Sequence, residues 1–198
     1  PPPPPSSPCV TSNALTTLAS LHLSSISCSL SATLESRSHG LSLLSSAYAT
    51  SLAAGQLPAA AAVAKRLAGI YERGHHSIPQ DFGLSVEWYL RAADECGDVE
   101  AMVEYGTCAE MGYGLPAPDE ALAFRWFEAA AEGSFGGGGA DGEACCSVGE
   151  YYEKGRGGVP MNHVKAVEWY KRGVDGDGDE DCEEGLERLA EIAAILRL

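Results

Sequence analysis

The chain has 198 residues, of which 45% are apolar, and its 28 acidic and 13 basic side chains give a formal net charge of −15. The apolar content is ordinary for a globular domain, while the acidic balance disfavours nucleic acid and anionic membrane surfaces as partners, because both repel negative charge. The sequence has no run of about 18 or more purely apolar residues, so we predict no membrane insertion.

Residues 1–57 form a low-complexity segment that differs from the rest of the chain. The segment opens with PPPPPSSP, which favours an extended, solvated backbone, and continues with Ser, Thr, Ala and Leu. We expect it to be largely disordered, with one short helix at 41–54 that Gly55 could end. A targeting role is disfavoured, because targeting segments are usually Arg-rich and Arg37 is the only arginine here.

The remaining domain, residues 58–198, repeats one spacing of glycine and aromatic residues. In each unit a Trp follows a marker Gly by 14 positions, and an aromatic residue follows the Trp. This frame predicts repeats at about 60–97, 98–140 and 141–178 and a closing helix at 180–198. Its structural positions are Leu67, Tyr71, Gly74, Trp88, Tyr89 and Ala92; Ala101, Gly106, Gly112, Trp126, Phe127 and Ala130; and Ala144, Gly149, Tyr152, Gly155, Ala166, Trp169 and Tyr170.

Each repeat is predicted to form two antiparallel helices joined by a short loop. The marker glycine, for example Gly112, would end the first helix in a left-handed conformation. The second helix would follow a loop that contains proline and would run through the Trp. Small residues at Gly106 and Gly149 would let the two helices approach closely, and we expect the three Trp side chains to lie in the core between units.

The combined pattern is small-x3-apolar-Gly-x2-Tyr-x2-Gly, a loop, then Lys-Ala-x2-Trp-Tyr-x2-small-small. It is similar to the Sel1-like repeat, a relative of the tetratricopeptide repeat. The third unit matches best, and the second departs most, with Tyr105 for Leu, Ala109 for Tyr and Phe127 for Tyr. The resemblance implies an all-α protein, an α/α solenoid of about three and a half helix-turn-helix repeats.

Proteins of this family mostly act as adaptors and scaffolds, in settings that include signalling and the degradation of misfolded proteins at the endoplasmic reticulum. The resemblance therefore implies a non-catalytic protein that holds a protein or peptide on the concave face of its repeats. Because the repeat region is acidic, we expect a partner segment of basic or mixed charge and an affinity that falls as salt rises. We assign no catalytic, cofactor-binding or metal-binding residue.

Two alternatives from other functional classes are an enzyme and a metal-responsive module. The enzyme would use the adjacent loop histidines His75 and His76, but adjacent residues rarely converge on one reacting atom or ion. The metal-responsive module would use the acidic run 175–184, where Asp175, Asp177 and Asp179 have the first spacings of a calcium loop but Gly and Glu are missing at later positions. We interpret this run as a solvated loop.

The seven cysteines show no regular pairing from repeat to repeat. A minority of the resembling family carries one disulfide in every repeat, and Cys96, Cys108 and Cys182 do not follow such a scheme. Cys145 and Cys146 are adjacent, which does not fit C-x-x-C spacing, so we interpret them as small buried residues. This pattern favours a reducing intracellular compartment, with the endoplasmic reticulum as the alternative.

Overall fold

The computed structural model describes residues 34–74, 78–133, 141–176 and 180–196. These residues form eight helices: α1 (Leu34–Ala53), α2 (Leu57–Arg73), α3 (Phe82–Cys96), α4 (Val99–Met111), α5 (Glu120–Ala131), α6 (Gly142–Lys154), α7 (His163–Gly176) and α8 (Glu180–Leu196). The chain divides between Asp98 and Val99 into two compact units, so that α1 to α3 belong to the first and α4 to α8 to the second. The predicted all-α fold of helical hairpins is confirmed.

Helix α1 begins at Leu34 and is longer than the short helix predicted at 41–54. Its serines are compatible with a helix because their hydroxyls donate to backbone carbonyls one turn earlier, as Ser45 Oγ does to the Leu41 oxygen at 3.0 Å and Ser46 Oγ to the Ser42 oxygen at 2.8 Å. The helix packs against α2. Helix α1 thus includes residues 41–53 of the predicted short helix and also residues 34–40, which were expected to be disordered; residues 1–33 lie outside the described residues.

The second helix of every repeat begins directly after an Asp or Asn whose side chain caps it. The Oδ1 atoms of Asp81, Asp119 and Asn162 accept hydrogen bonds of 2.9 to 3.1 Å from the backbone N–H three residues later. Each such bond satisfies a donor that the first turn of a helix leaves without a partner. These caps fix where α3, α5 and α7 begin.

The first helix of each repeat ends at its marker glycine. Helices α2, α4 and α6 stop directly before Gly74, Gly112 and Gly155, whose φ angles are 67°, 76° and 67°. Glycine adopts this left-handed conformation without the steric cost that other residues incur. The chain then turns back, so that α2 packs on α3, α4 on α5 and α6 on α7, as the spacing of the marker glycines predicted.

In the second unit, further packing joins one hairpin to the next. Helix α5 packs against α6, and the closing helix α8 packs against both α6 and α7. The rings of Phe124 on α5 and of Tyr151 and Tyr152 on α6 meet with centroids 5.6 and 5.7 Å apart. These contacts bury apolar area that a single hairpin would leave in water.

Candidate protein-interaction surface

The aromatic residue that follows each Trp, rather than the Trp itself, fills the hairpin core. Tyr89, Phe127 and Tyr170 keep 7%, 2% and 0% of their surface exposed, whereas Trp88, Trp126 and Trp169 are half-buried. The expected core position of the three Trp rings is therefore wrong in part. Successive residues of a helix point about 100° apart, so only one of two adjacent aromatic rings can face the partner helix.

Glycine on the first helix makes room for the buried ring in the second and third repeats. A Cβ atom added at Gly106 would lie 2.8 Å from Phe127 Cε1, and one added at Gly149 would lie 2.6 Å from Tyr170 Cε1. Both distances are shorter than van der Waals contact. Gly106 and Gly149 thus provide the close helix approach that the sequence predicted.

A glutamate 17 residues before the buried ring contacts its hydroxyl when there is one. The hydroxyl of Tyr89 lies 3.2 Å from Glu72 Oε2, and that of Tyr170 lies 2.6 Å from Glu153 Oε2. Burial raises the pKa of Tyr170, and its hydrogen bond to the Glu153 carboxylate raises it further. Both tyrosines therefore act as neutral donors to a carboxylate.

The second repeat has Phe127 in this position, and its glutamate binds elsewhere. Glu110 Oε1 lies 2.9 Å from Nη2 of Arg156, which belongs to the loop of the third repeat. The same guanidinium donates to Glu120 Oε1 from Nε at 3.0 Å and from Nη2 at 2.7 Å. Hydrogen bonds from Arg156 and from the Gly157 N–H hold the pKa of Glu120 below its ordinary value. Arg156 thereby joins the loop of the third repeat to the end of α4 and the start of α5 in the second repeat.

In two of the three repeats, an arginine side chain lies over the half-buried Trp ring. The guanidinium carbon of Arg91 lies 4.6 Å from the centroid of Trp88, and that of Arg172 lies 4.4 Å from the centroid of Trp169. Both arginines follow their Trp by three residues, which places them on the same face of the helix. The second repeat has Ala129 in this position, and the Trp126 ring contacts Tyr105 edge to face at 5.3 Å.

Apolar side chains are also exposed around the loops of the second unit. Met111 and Tyr113 flank the marker glycine of the second repeat and are 55% and 52% exposed, and Met161 and Val164 near the start of α7 are 65% and 70% exposed. Met and Tyr are enriched where proteins meet. The repeat surface therefore combines acidic, aromatic and apolar side chains.

The residues of the two alternative sites are placed as follows. His75, His76, Asp177 and Asp179 lie outside the described residues, while Asp175 belongs to α7 and Glu180 begins α8. Across the described ranges, no group of three or more His, Cys, Asp or Glu side chains is arranged to hold a metal ion. The helices of those ranges also include none that is both long and apolar enough to span a bilayer.

The cysteines require a correction, because Cys146 and Cys182 form a disulfide. Their Cα atoms lie 5.1 Å apart, within the usual range for such a bond. Both residues are buried, with Cys182 against Gly173 and the Gly142 carbonyl oxygen. The bond joins α6 to α8, whereas the sequence showed no regular pair. The sequence did offer one indication of this bond, because Cys146 and Cys182 are separated by 36 residues, which is close to the length of one repeat.

Sequence reasoning also missed the Arg156 contacts and the Trp–Arg pairs. The pairs could have been found from the sequence, because Trp-x2-Arg stands in the first and third repeats and Trp-x2-Ala in the second. The Arg156 contacts had none, because they join residues separated by 36 and 46 positions through the packing of two hairpins.

Comparison with known proteins identifies the repeats. The model of the Sel1 repeat matches residues 61–95, 99–135 and 142–177, more than half of the chain. The chitin synthase regulator SKT5 of Saccharomyces cerevisiae is 34% identical over 137 residues, which are 68% of this chain and 17% of that protein.

A solved structure shares the fold. It is that of c5321, a protective antigen of uropathogenic Escherichia coli strains that displays an SLR fold; its TM-score is 0.51, its identity 27%, and the match covers 67% of this chain and 26% of that one. The chain thus spans about a quarter or less of the length of either protein. With three matched repeats and this shared fold, the chain belongs to the Sel1 repeat family.

Proposed function

We propose that this chain is a non-catalytic adaptor or scaffold that binds a basic or mixed-charge protein segment on the concave face of its Sel1 repeats. The observation that carries the proposal is the set of three Sel1 repeats, because stacked repeats present extended surfaces that bind other proteins. The name of the relative SKT5 supports the same class of function, since it describes a regulator of an enzyme.

The charge of the chain supports a cationic partner. Residues 99–198 contain 21 acidic and eight basic side chains, and three of the basic ones, Lys154, Arg156 and Arg188, already pair with glutamates of the same unit. An excess of carboxylates attracts a positively charged segment and repels an acidic one. The exposed Met111, Tyr113, Met161 and Val164 add apolar contact area for a segment of mixed character.

The test is binding of defined peptides to the full chain at two ionic strengths. We expect a flexible peptide of alternating Arg, Lys and Gly to bind, and a peptide with Glu in place of the basic residues to show no binding. We expect the dissociation constant of the basic peptide to rise several-fold between about 0.1 M and about 1 M salt, where the Debye length falls from about 10 Å to about 3 Å.

Calorimetry or fluorescence anisotropy measures both constants. Equal binding of the basic and acidic peptides, or a dissociation constant that does not change with salt, would contradict the proposed charge of the partner. A helical protein that binds neither peptide at either salt concentration would contradict the proposed binding of a charged segment.

A further inference from the structure

In the first and third repeats, a side chain of the protein itself covers the face of the repeat Trp ring. In α3 and α7 the covering group is a guanidinium, Arg91 over Trp88 and Arg172 over Trp169. A cation over the face of an indole ring is attracted by the negative potential of that face. In α7 the arginine is also held in place, because Arg172 Nη2 lies 3.4 Å from the Ala131 oxygen. Two repeats out of three therefore fill this position from within.

The second repeat lacks the residue that would do so. Ala129 stands where the other repeats have arginine, and its methyl group cannot reach over the Trp126 ring. Arg125 directly precedes Trp126 and points to another side of the helix, because adjacent helical residues do not face each other. Within the described part of the second unit, no cationic group lies over Trp126, and Tyr105 is its ring contact.

The tyrosine contact does not take the place of the cation. In the first repeat the Trp88 ring has a Tyr neighbour at a centroid distance of 5.3 Å, the residue Tyr48, and it has Arg91 as well. Trp126 and Tyr105 are also 5.3 Å apart. Each Trp ring thus has one Tyr ring at the same centroid distance, although Tyr48 lies on α1 and Tyr105 on α4, and the two Trp residues differ in the presence of the arginine.

We infer that Trp126 receives an arginine or lysine side chain of the bound protein segment, in the position that Arg91 and Arg172 occupy in the other repeats. This inference rests on the proposed function and specifies one of its contacts. The surrounding charge favours a cation, because acidic side chains outnumber basic ones 21 to eight in residues 99–198. Burial is the main cause that raises the pKa of the Tyr105 phenol, and the nearby Cys108 and Asp119, which caps α5, raise it further.

The experiment follows the three indole N–H signals of the full chain by NMR. The chain has three Trp residues, and the signal that disappears in each single Trp→Phe variant assigns the spectrum. The probe is a peptide of alternating Arg and Gly, and its control is the same peptide with citrulline, which keeps the shape of arginine without its charge. We expect the arginine peptide to shift the Trp126 signal more than the other two, and the citrulline peptide to leave it unchanged.

The variant Ala129→Arg tests the position directly. Its arginine would cover Trp126 as Arg91 covers Trp88, so the Trp126 signal would no longer respond and the affinity for the peptide would fall by about two- to fivefold. Ala129→Gln adds an uncharged polar side chain that is shorter than arginine and is expected to bind as the unmodified chain does. A second variant, Arg91→Ala, uncovers Trp88 and is expected to make its signal respond to the peptide.

The outcomes separate this inference from the proposed function. Binding of the arginine peptide without a Trp126 shift overturns the inference and leaves the adaptor proposal standing. Equal Trp126 shifts in the unmodified chain and in Ala129→Arg also overturn it. If Ala129→Arg does not fold, the Arg91→Ala variant decides, and an unresponsive Trp88 signal in that variant counts against the inference.

Discussion

Two successive junctions in the second unit use different chemistry for the same task of joining one hairpin to the next. Between the second and third repeats, Arg156 binds Glu110 and Glu120, and Phe124 meets two tyrosine rings. Between the third repeat and the closing helix, a disulfide joins Cys146 to Cys182 and Arg188 binds Glu153 at 3.3 Å. The first junction is thus polar and aromatic, and the second is partly covalent.

The difference follows from single residues at equivalent positions. In the repeat frame, Val103 stands one repeat before Cys146, and Ala144 stands one repeat before Cys182. Likewise, Phe127 stands where Tyr170 does, so that the ring of the second repeat offers Glu110 no hydroxyl and Glu110 pairs with Arg156, whereas Glu153 contacts the Tyr170 hydroxyl. The repeat frame fixes the helices, and a few side chains decide how the hairpins are joined.

The largest expected effect comes from removing the disulfide. The double variant Cys146→Val, Cys182→Ala copies the residues of the preceding junction. The loop closed by the bond spans 36 residues, and losing such a cross-link costs roughly 2 to 4 kcal/mol of stability, because the unfolded chain gains conformational freedom. Urea unfolding with and without reductant measures the loss.

The unmodified chain serves as the control for this variant. We expect reductant to lower its unfolding midpoint and to leave the midpoint of the double variant unchanged, and we expect mass spectrometry to find a peptide linked through Cys146 and Cys182. An unmodified chain that shows no linked peptide and no response to reductant would contradict the disulfide.

A smaller effect is expected from exchanging the buried ring between the two repeats. Tyr170→Phe removes the donor to Glu153 and should destabilise the fold by roughly 1.5 to 3 kcal/mol, the range for hydrogen bonds to charged groups. Phe127→Tyr adds a hydroxyl 17 residues from Glu110, the spacing that brings Tyr89 and Tyr170 to their glutamates.

Phe127→Tyr is therefore expected to be neutral or to stabilise the fold by up to about 1 kcal/mol. The two variants are compared by urea unfolding at neutral pH. A marked loss of stability in Phe127→Tyr would show that the added hydroxyl is buried without a partner. It would also show that Glu110 keeps its ion pair with Arg156.

The helices and hairpins were predictable from the sequence because local residues determine them. Gly112 ends α4 through its positive φ angle, and Asp119 caps α5 through a hydrogen bond that spans three residues. The start of α1 was missed because a Ser-rich, weakly charged segment is typical of disorder, whereas here serine hydroxyls bond within the helix. Spacing alone also did not show whether Trp169 or Tyr170 faces α6, since both lie on the same helix and are adjacent.

The junctions were less predictable because they depend on packing between residues far apart in sequence. The Cys146–Cys182 bond requires α8 to lie against α6, and the repeat frame predicts that a closing helix exists without fixing which cysteines meet. The candidate site shows the same limit. The sequence placed Trp126 at a repeat position, but its partial exposure and the ring contacts of Trp88 and Trp126 became visible only in the structure.

The smallest expected effect concerns Arg188, which adds an ion pair to the second junction. Burial tends to raise the pKa of Glu153, but hydrogen bonds from Tyr170 and Arg188 outweigh it and lower the pKa below its ordinary value. A carboxylate with a lowered pKa in the folded state contributes stability above its unfolded pKa and loses it as pH falls through the folded value. Because Arg188 is 44% exposed, we expect Arg188→Gln to cost roughly 1 kcal/mol or less at neutral pH.

This cost should shrink on acidification, because a protonated Glu153 no longer attracts the guanidinium. Urea unfolding of both proteins from pH 7 downward is expected to give midpoints that converge below the ordinary pKa of glutamate, about 4.3. Lys171→Gln is a matched control, since Lys171 is an exposed cation on α7 and its loss should not give the same dependence on pH. A difference between Arg188→Gln and the unmodified chain that stays constant down to acidic pH would mean that Arg188 stabilises the junction by packing its side chain rather than by its charge.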